Sequence, residues 1–374
     1  MRVPFNRASI TPLEHARIRA ALESGALRAG GPVTQQCQAM LAARLQRRTV
    51  LLTNSATAAL DMALLLGGIG AGDEVIMPAF TFVSCASSVA LRGGRPVLVD
   101  IEPATLNISV EAAAAAITPR TKAIIAVHYA GVAYDVPALG ALARRHGLLL
   151  IEDAAQALGA TWQGRESGSF GDFGLFSFHH SKNIACGEAG ALIINDECHG
   201  ARAHVVHQYG TNYEEFRQGR APNYLWIELG SSFMPSDLTA ALLAAQLERV
   251  DEISCARRAL WQRYHAAFAP LERAGVQRPT IPAGATPNGH IYWLLLPAGR
   301  DRDAFLDALR ARGIEATSHY IPLDQTPGGR RFAAVAGPLA VSHASAARLV
   351  RLPLWFGMGA LQDEVIDAVL AEVG

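Results

Sequence analysis

Lysine is nearly absent from this chain: of its 33 basic residues only Lys122 and Lys182 are not arginine. Arginine stays protonated and cannot act as a nucleophilic amine, so chemistry that needs a free amine, such as Schiff-base formation, has two residues to choose from. Lys122 stands in Pro119-Arg120-Thr121-Lys122, just ahead of an apolar run, and reads as a solvated residue at a strand entrance. Lys182 follows Phe176-Ser177-Phe178-His179-His180-Ser181, a mixture of aromatic and small residues suited to a buried site, and is the stronger candidate. Leu51-Leu52-Thr53-Asn54-Ser55-Ala56-Thr57-Ala58 passes from an apolar strand end through small polar residues into a helix. That order aims the free N–H groups and positive dipole end of a helix at one spot, an anion site, although a plain Ser or Thr N-cap explains the stretch equally well by itself. Leu148-Leu149-Leu150-Ile151-Glu152-Asp153 sets an acidic pair at the C-terminal end of a buried strand, where open α/β sheets form their ligand crevices. Asp153 can balance a cationic ring nitrogen there, or it is a helix cap or surface charge.

Taken together these pieces are more specific than any one of them. An anion cup at Ser55 to Thr57, a second hydroxyl at Ser177, the carboxylate of Asp153, the aromatic pair Phe80 and Phe82, and the amine of Lys182 match a phosphate, a pyridinium nitrogen, a flat ring and an aldehyde. Those are the parts of pyridoxal phosphate. A carboxylate that keeps the ring nitrogen protonated makes the ring an electron sink. The lysine holds the aldehyde as an imine until an amino substrate displaces it, and is then free to carry a proton between carbons.

Other patterns point elsewhere and fail on context. Gly67-Gly68-Ile69-Gly70-Ala71-Gly72 follows a helix and precedes a strand, the reverse of a dinucleotide fingerprint, so a nicotinamide oxidoreductase fails on loop order. Asp172-Phe173-Gly174 spells a kinase tripeptide without the accompanying kinase loops. His179-His180 and the pair His204 and His207 lack a third ligand at metal spacing, so no catalytic metal is expected. Five scattered cysteines without a C-x-x-C argue against a disulfide framework or structural zinc.

Half of the 374 residues are hydrophobic, and 33 basic side chains balance 33 acidic ones, which excludes wholesale disorder and a general nucleic-acid or anionic-lipid binder. No apolar run nears the roughly 20 residues of a membrane span, and the first residues lack the apolar core of a secretory signal, so no membrane partner and a cytoplasmic address are expected. Across the first two thirds, apolar runs alternate with helical patterns, the signature of a mostly parallel sheet covered by helices. Strands are expected at 49–52, 74–77, 96–99, 123–128, 148–152, 174–178 and 191–194, with helices at 56–66, 136–146 and 238–250. A large cofactor domain over 1–250 is expected to give way to a small α/β domain over 251–374. That second unit is read as a helix at 257–268, a strand at 291–296, a helix at 303–312, a strand near 314–319 and a closing helix at 361–373. A helix at 12–22 is expected to pack on it.

With these motifs the chain resembles the DegT/DnrJ/EryC1/StrS sugar aminotransferases, and the likeness spans essentially its whole length. It is carried by Asn54-Ser55-Ala56-Thr57-Ala58-Ala59-Leu60, Gly72-Asp73-Glu74-Val75-Ile76-Met77-Pro78, Phe80-Thr81-Phe82-Val83, Val127-His128-Tyr129-Ala130-Gly131, Glu152-Asp153-Ala154-Ala155-Gln156, Phe176-Ser177-Phe178-His179 ahead of Lys182-Asn183, and Ser318-His319-Tyr320-Ile321-Pro322-Leu323. The resemblance implies the aspartate aminotransferase fold (fold type I) and pyridoxal 5'-phosphate, with pyridoxamine phosphate as its intermediate form. It implies that Lys182 forms the Schiff base, Asp153 pairs with the pyridine nitrogen, Gln156 lies near the ring hydroxyl, Phe82 stacks on the ring, and Ala56, Thr57 and Ser177 hold the phosphate. A homodimer with shared active sites follows too. The family commonly completes the phosphate site from the partner subunit with the asparagine of G-x-N-x-R-M, where this chain has Gly230-Ser231-Ser232-Phe233-Met234-Pro235 and offers Ser232. Its usual G-E-G-G is Gly187-Glu188-Ala189-Gly190 here, a change that matters only if residue 189 needs a positive φ.

The stretch from Gly210 to Ser232 is most like members that aminate a dTDP-4-keto-6-deoxyhexose at C4. The reaction so implied carries the amino group of L-glutamate to dTDP-4-keto-6-deoxyglucose, with His319 and Tyr320 as substrate-side residues or, alternatively, core or hinge residues. Amination at C3 of a dTDP-3-keto-6-deoxyhexose and a non-enzymatic cofactor-binding regulator are the competing expectations. A sugar dehydratase of the family would carry histidine in place of Lys182.

Overall fold

The computed structural model describes residues 2–373. Seven strands of five to seven residues build its main sheet: β1 (Thr49–Thr53), β2 (Glu74–Pro78), β3 (Arg95–Val99), β4 (Thr121–Val127), β5 (Leu149–Asp153), β6 (Phe173–Ser177) and β7 (Gly190–Ile194). Their order across the sheet is β1-β7-β6-β5-β4-β2-β3, and the pair Ala334–Val335 extends the β3 edge. The pairs from β3 through β2, β4 and β5 to β6 are parallel, and β7 runs antiparallel between β6 and β1. Nearly every residue of β2, β4 and β5 is buried, as expected of central strands covered on both faces.

The covering helices begin and end where local chemistry dictates. Helix α1 (Pro12–Ser24) starts at a capping box of Thr11 and Glu14 and stops at Gly25, φ 67°. Helix α2 (Pro32–Leu45) follows, and α3 (Ala56–Leu66) is capped by Ser55, whose hydroxyl accepts from the Ala58 amide at 3.0 Å. Helix α4 (Val136–His146) is capped by Asp135 and closed by Gly147, φ 63°. Helices α5 (Asp237–Glu248) and α6 (Val250–Ala267) meet at Arg249, which is held by Glu14 and Glu252.

A second core surrounds a two-stranded antiparallel sheet, β8 (Tyr292–Leu295) with β9 (Leu349–Leu352), flanked by α7 (Arg302–Ala311) and α8 (Leu361–Val373). Helix α6 links the two cores: Ile253 is buried in the first, Trp261 and Tyr264 in the second. Phe80 and Tyr129, from loops that follow β2 and β4, pack with Trp293 and Leu349 and close the joint between them.

Two expectations change. Residues 314–319 form no strand; Ile314 bridges Val3 and Thr317 bridges Arg351 singly, and the pairing partner of β8 is β9 instead. Pairing stops after Thr317 because the chain turns there to carry Ser318, His319 and Tyr320 into a cavity. The helix α1 lies along α5, where its buried Glu14 accepts from Gln246; Val3, ahead of it, is what joins the second core.

Candidate active site

Strands β1, β5 and β6 all end on one edge of the sheet, so the residues that follow them converge. A cavity of about 670 Å³ opens there, between the two cores, and is lined by Ser55, Ala56, Thr57, Phe82, Asp153, Gln156, Ser177, Lys182, His319 and Tyr320. Ser232 is the one candidate not brought to it: it is exposed, and its hydroxyl donates to the Tyr209 hydroxyl at 3.3 Å.

The anion cup is built from backbone. With the Ser55 hydroxyl committed to the Ala58 amide, the N–H groups of Ala56 and Thr57 in the first turn of α3 have no intrahelical partner and face the cavity. Ser177, at the end of β6, lies beside them through β7: it pairs with Gly190, which also pairs with Thr53. A Cβ on Gly190 would stand 2.5 Å from the Ala56 nitrogen, so only glycine lets the strand approach this closely. Ala189 is not among the residues with positive φ, and Gly187 (φ 90°) supplies the left-handed position of that turn.

Asp153 is buried at the C-terminal end of β5. Its Oδ2 accepts from the Cys85 thiol at 3.3 Å and its Oδ1 from the Ala155 amide at 3.0 Å. Its neighbour Glu152 points to the opposite face and is consumed by structure, accepting from His128 Nε2 at 2.8 Å and from the amides of Gly168, Phe170 and Gly171. Burial depresses the affinity of the Lys182 amine for its proton; the charge of Asp153 opposes that shift and the charge of Arg351 adds to it. A buried amine so disposed spends more of its time neutral and nucleophilic.

Gln156 is fixed at both ends: its Oε1 accepts from the Ala130 amide at 2.7 Å and its Nε2 donates to the Tyr320 hydroxyl at 2.9 Å. His319 stacks on Tyr320 with ring centroids 3.7 Å apart, and its Nδ1 shares a hydrogen bond of 2.7 Å with the Tyr129 hydroxyl. Burial, with the charges of Arg351 and Lys182, holds His319 well below the usual imidazole range, so it is neutral. Phe82, 53% exposed in the single chain, stands at the mouth and leans on Tyr320 at 6.3 Å.

The charged or titratable cavity residues that escaped the sequence include Arg257 from α6, Arg351 from β9, and His290 just ahead of β8. A lone arginine within the apolar run Leu349-Val350-Arg351-Leu352 was the available signal. Asp196, Cys198 and His199 bring potential ligand atoms within 4.8 Å of one another, but on the surface and outside the cavity lining. His207 donates to Leu52 O at 2.6 Å and is a core residue.

The donor set fits pyridoxal phosphate: unpartnered amides and a hydroxyl for the phosphate, a carboxylate for the ring nitrogen and an amine for the aldehyde. The family model for the DegT/DnrJ/EryC1/StrS aminotransferases matches residues 8–373. The aminotransferase TlmJ from Streptoalloteichus hindustanus is 30% identical, with 100% of this chain and 99% of that chain covered and a TM-score of 0.90. DesV from S. venezuelae, solved with a ketimine intermediate, is 31% identical over 99% of this chain and 98% of its own, again at 0.90. The sugar aminotransferase CalS13 from Micromonospora echinospora is 27% identical over 99% of both chains, at 0.90. The chain therefore belongs to the DegT/DnrJ/EryC1/StrS aminotransferase family and is a pyridoxal phosphate-dependent aminotransferase.

Proposed function

We propose that this enzyme transfers the amino group of L-glutamate to C4 of a nucleotide-linked 4-keto-6-deoxyhexose, dTDP-4-keto-6-deoxyglucose, and works as a homodimer with shared active sites. The observation that carries the reading is the convergence of Lys182, Asp153 and the first turn of α3 on one cavity. The likeness to a sugar aminotransferase supports the substrate class, and the match of the 210–232 stretch supports the C4 position.

When bound, the cofactor supplies an aldehyde that takes up the amino group and a ring that accepts the electron pair left when a proton departs. The chain does the rest. The Ala56 and Thr57 amides and the Ser177 hydroxyl hold the phosphate, and Ser232 of the partner subunit adds a hydroxyl to it. Asp153 holds a proton on the ring nitrogen, Phe82 covers one ring face, and Gln156 meets the ring hydroxyl. Lys182 takes the proton from the α-carbon of glutamate, which leaves as 2-oxoglutarate with its keto oxygen supplied by water, and in the second half delivers a proton to C4 of the keto sugar, whose oxygen departs as water. His319 and Tyr320 face the sugar.

The two halves can be run separately. Glutamate alone should bleach the visible absorption of the loaded enzyme, and dTDP-4-keto-6-deoxyglucose should restore it. An NMR structure of the product then locates the new nitrogen. Absence of bleaching by glutamate would overturn the aminotransfer as written, and nitrogen at C3 would overturn the substrate position.

A further inference from the structure

The cavity holds an imidazole that the roles above do not use. His290 lines it from the short segment Asn288-Gly289-His290 ahead of β8, and that segment is clamped from three sides. From α6, Arg257 donates to Gly289 O at 3.1 Å and to His290 O at 2.8 Å. From its own side chain, Asn288 donates Nδ2 to Gln156 O and Leu158 O, both at 2.9 Å, while its Oδ1 accepts from the His290 amide at 3.0 Å. The ring itself is held by the residue next to Lys182, since Asn183 Oδ1 lies 2.9 Å from His290 Nδ1. Asn183 donates its Nδ2 to Asn288 O at 3.2 Å, so the atom it turns to the ring is its oxygen, which can only accept. The proton of the neutral imidazole is therefore on Nδ1, and Nε2 keeps a lone pair. Among the described residues no group donates to that Nε2.

We propose that His290 selects the keto substrate by its hydroxyl: Nε2 accepts a hydrogen bond from the hydroxyl on the carbon beside the carbonyl, C3 of a 4-keto-6-deoxyhexose. This rests on the C4 reading given above. The class of ligand follows by elimination. A lone pair rejects the oxygens of a carboxylate or a phosphate ester, which bring no proton to share. An ammonium group is disfavoured because the charges felt by the ring are all positive: Lys182 from the loop after β6, Arg257 from α6 and Arg351 from β9. Burial and those same charges hold the imidazole well below its usual range, so at neutral pH it stays an acceptor. What remains is a neutral donor, and a hexose brings hydroxyls. Because Asn183, which holds the ring, is next in the chain to Lys182, Nε2 belongs to the reacting end of the cavity. Of the two carbons that flank C4, C3 carries a hydroxyl, whereas C5 carries the methyl group and the ring oxygen and has no donor. An acceptor fixed at its other nitrogen cannot turn to a new partner, so a sugar without that hydroxyl leaves it buried and unpaired, which is how a polar pocket discriminates most sharply.

The test compares dTDP-4-keto-6-deoxyglucose with its 3-deoxy counterpart, dTDP-4-keto-3,6-dideoxyglucose, in enzyme carrying the cofactor in its amine form. The parent should favour the hydroxylated sugar by about a hundredfold in kcat/KM. His290→Ala, which removes the acceptor, should lose about a hundredfold on that sugar and less than about threefold on the 3-deoxy one, so that the preference disappears. His290→Gln, which can turn a carbonyl oxygen to the same place, should fold readily and keep a preference of about tenfold. Bleaching by glutamate, which brings no hydroxyl, should stay within about threefold of the parental rate in both variants. A preference unchanged in folded His290→Ala or His290→Gln overturns the assignment, and so does a loss that falls equally on both sugars, the mark of a residue that only shapes the cavity. A parent that aminates neither sugar at C4 sinks the C4 reading and this inference with it; a parent that aminates both with equal kcat/KM sinks this inference alone.

Discussion

The thiol of Cys85 donates to the Asp153 carboxylate across 3.3 Å, from a helical turn that begins only after the Phe80-Thr81-Phe82 loop. Its other oxygen takes the Ala155 amide. Both donors are neutral, and among the described residues no arginine or lysine forms an ion pair with Asp153, so its negative charge is left to answer a cation in the cavity. Asp153→Asn keeps the shape and one of the two accepted contacts but removes that charge. Cofactor should still bind stoichiometrically, because Ala56, Thr57 and Ser177 are untouched, while the rate falls by more than about tenfold, or about 1.4 kcal/mol in the barrier. A smaller loss with full cofactor would show that Asp153 does not face the ring nitrogen.

Lys182→Arg preserves a positive charge and much of the volume while removing the only lysine among the described residues that line the cavity. Turnover should fall by at least about a thousandfold, about 4 kcal/mol, and the visible absorption that borohydride abolishes in the parent should be missing from the start. Transamination near the parental rate would redirect attention to Lys122, which is exposed at the start of β4.

Gly190→Ala tests the cup by pure sterics. The new methyl would stand 2.5 Å from the Ala56 nitrogen and against the Ser55 carbonyl, backbone that cannot swing aside as a flexible side chain would. The first turn of α3 and the end of β7 must then part, and the amides that receive the phosphate move with them. Cofactor affinity should drop at least about tenfold, about 1.4 kcal/mol, in a titration of cofactor-free protein. An unaltered dissociation constant would mean that the phosphate lies elsewhere.

How far such features can be read in advance depends on whether they are written locally. Helices 56–66 and 136–146 match their expected limits because Ser55, Asp135 and Gly147, the residues that cap them, stand beside them in the chain. The strands of the main sheet are short apolar runs bounded by turns, and they too were legible. Lys182 stood out through composition, and Ser55 to Thr57 through order. Arg257, His290 and Arg351 had no such mark: they come from three separate segments of the C-terminal third, brought to the cavity by the joint between the two cores. Residues 314–319 misled because an apolar start and a β-branched Thr317 look like a strand, whereas the tertiary task of the segment is to deliver His319 and Tyr320.

Acid should destabilise the fold through His207. Burial lowers its pKa from 6.5 to about 4, with its Leu52 hydrogen bond only partly opposing the shift. The unfolded chain therefore binds a proton that the folded one refuses between pH 6.5 and 4, so stability rises with pH across that window and is lost as pH falls through it. The full effect is about 3 kcal/mol at pH 4. His207→Gln, which can still donate to Leu52 O, should flatten the dependence of urea unfolding on pH in this range; an unchanged slope would show that other groups carry it.

The remaining prediction concerns assembly. Tyr224, Leu225, Trp226, Ile227 and Leu229 turn apolar side chains to solvent in the single chain, with Trp226 75% and Leu229 61% exposed, while Glu228 between them is held by Arg202; the segment ends close to Ser231 and Ser232. Exposed apolar runs of this length mark contact surfaces, and a large aromatic at the centre is the usual anchor of one. If this surface meets a second copy and Ser232 of the partner subunit reaches the phosphate, cofactor binding and dimerisation are linked by mass action, and dilution must loosen the cofactor. Trp226→Glu should then shift sedimentation toward monomer and weaken cofactor binding together, while Ser232→Ala should weaken the cofactor and leave the sedimentation of cofactor-free protein unchanged. A monomer with full activity would remove the shared-site arrangement altogether. A dimer whose association the cofactor does not tighten would remove only the contact assigned to Ser232, leaving the Tyr224 to Leu229 surface to hold the subunits together by burial alone.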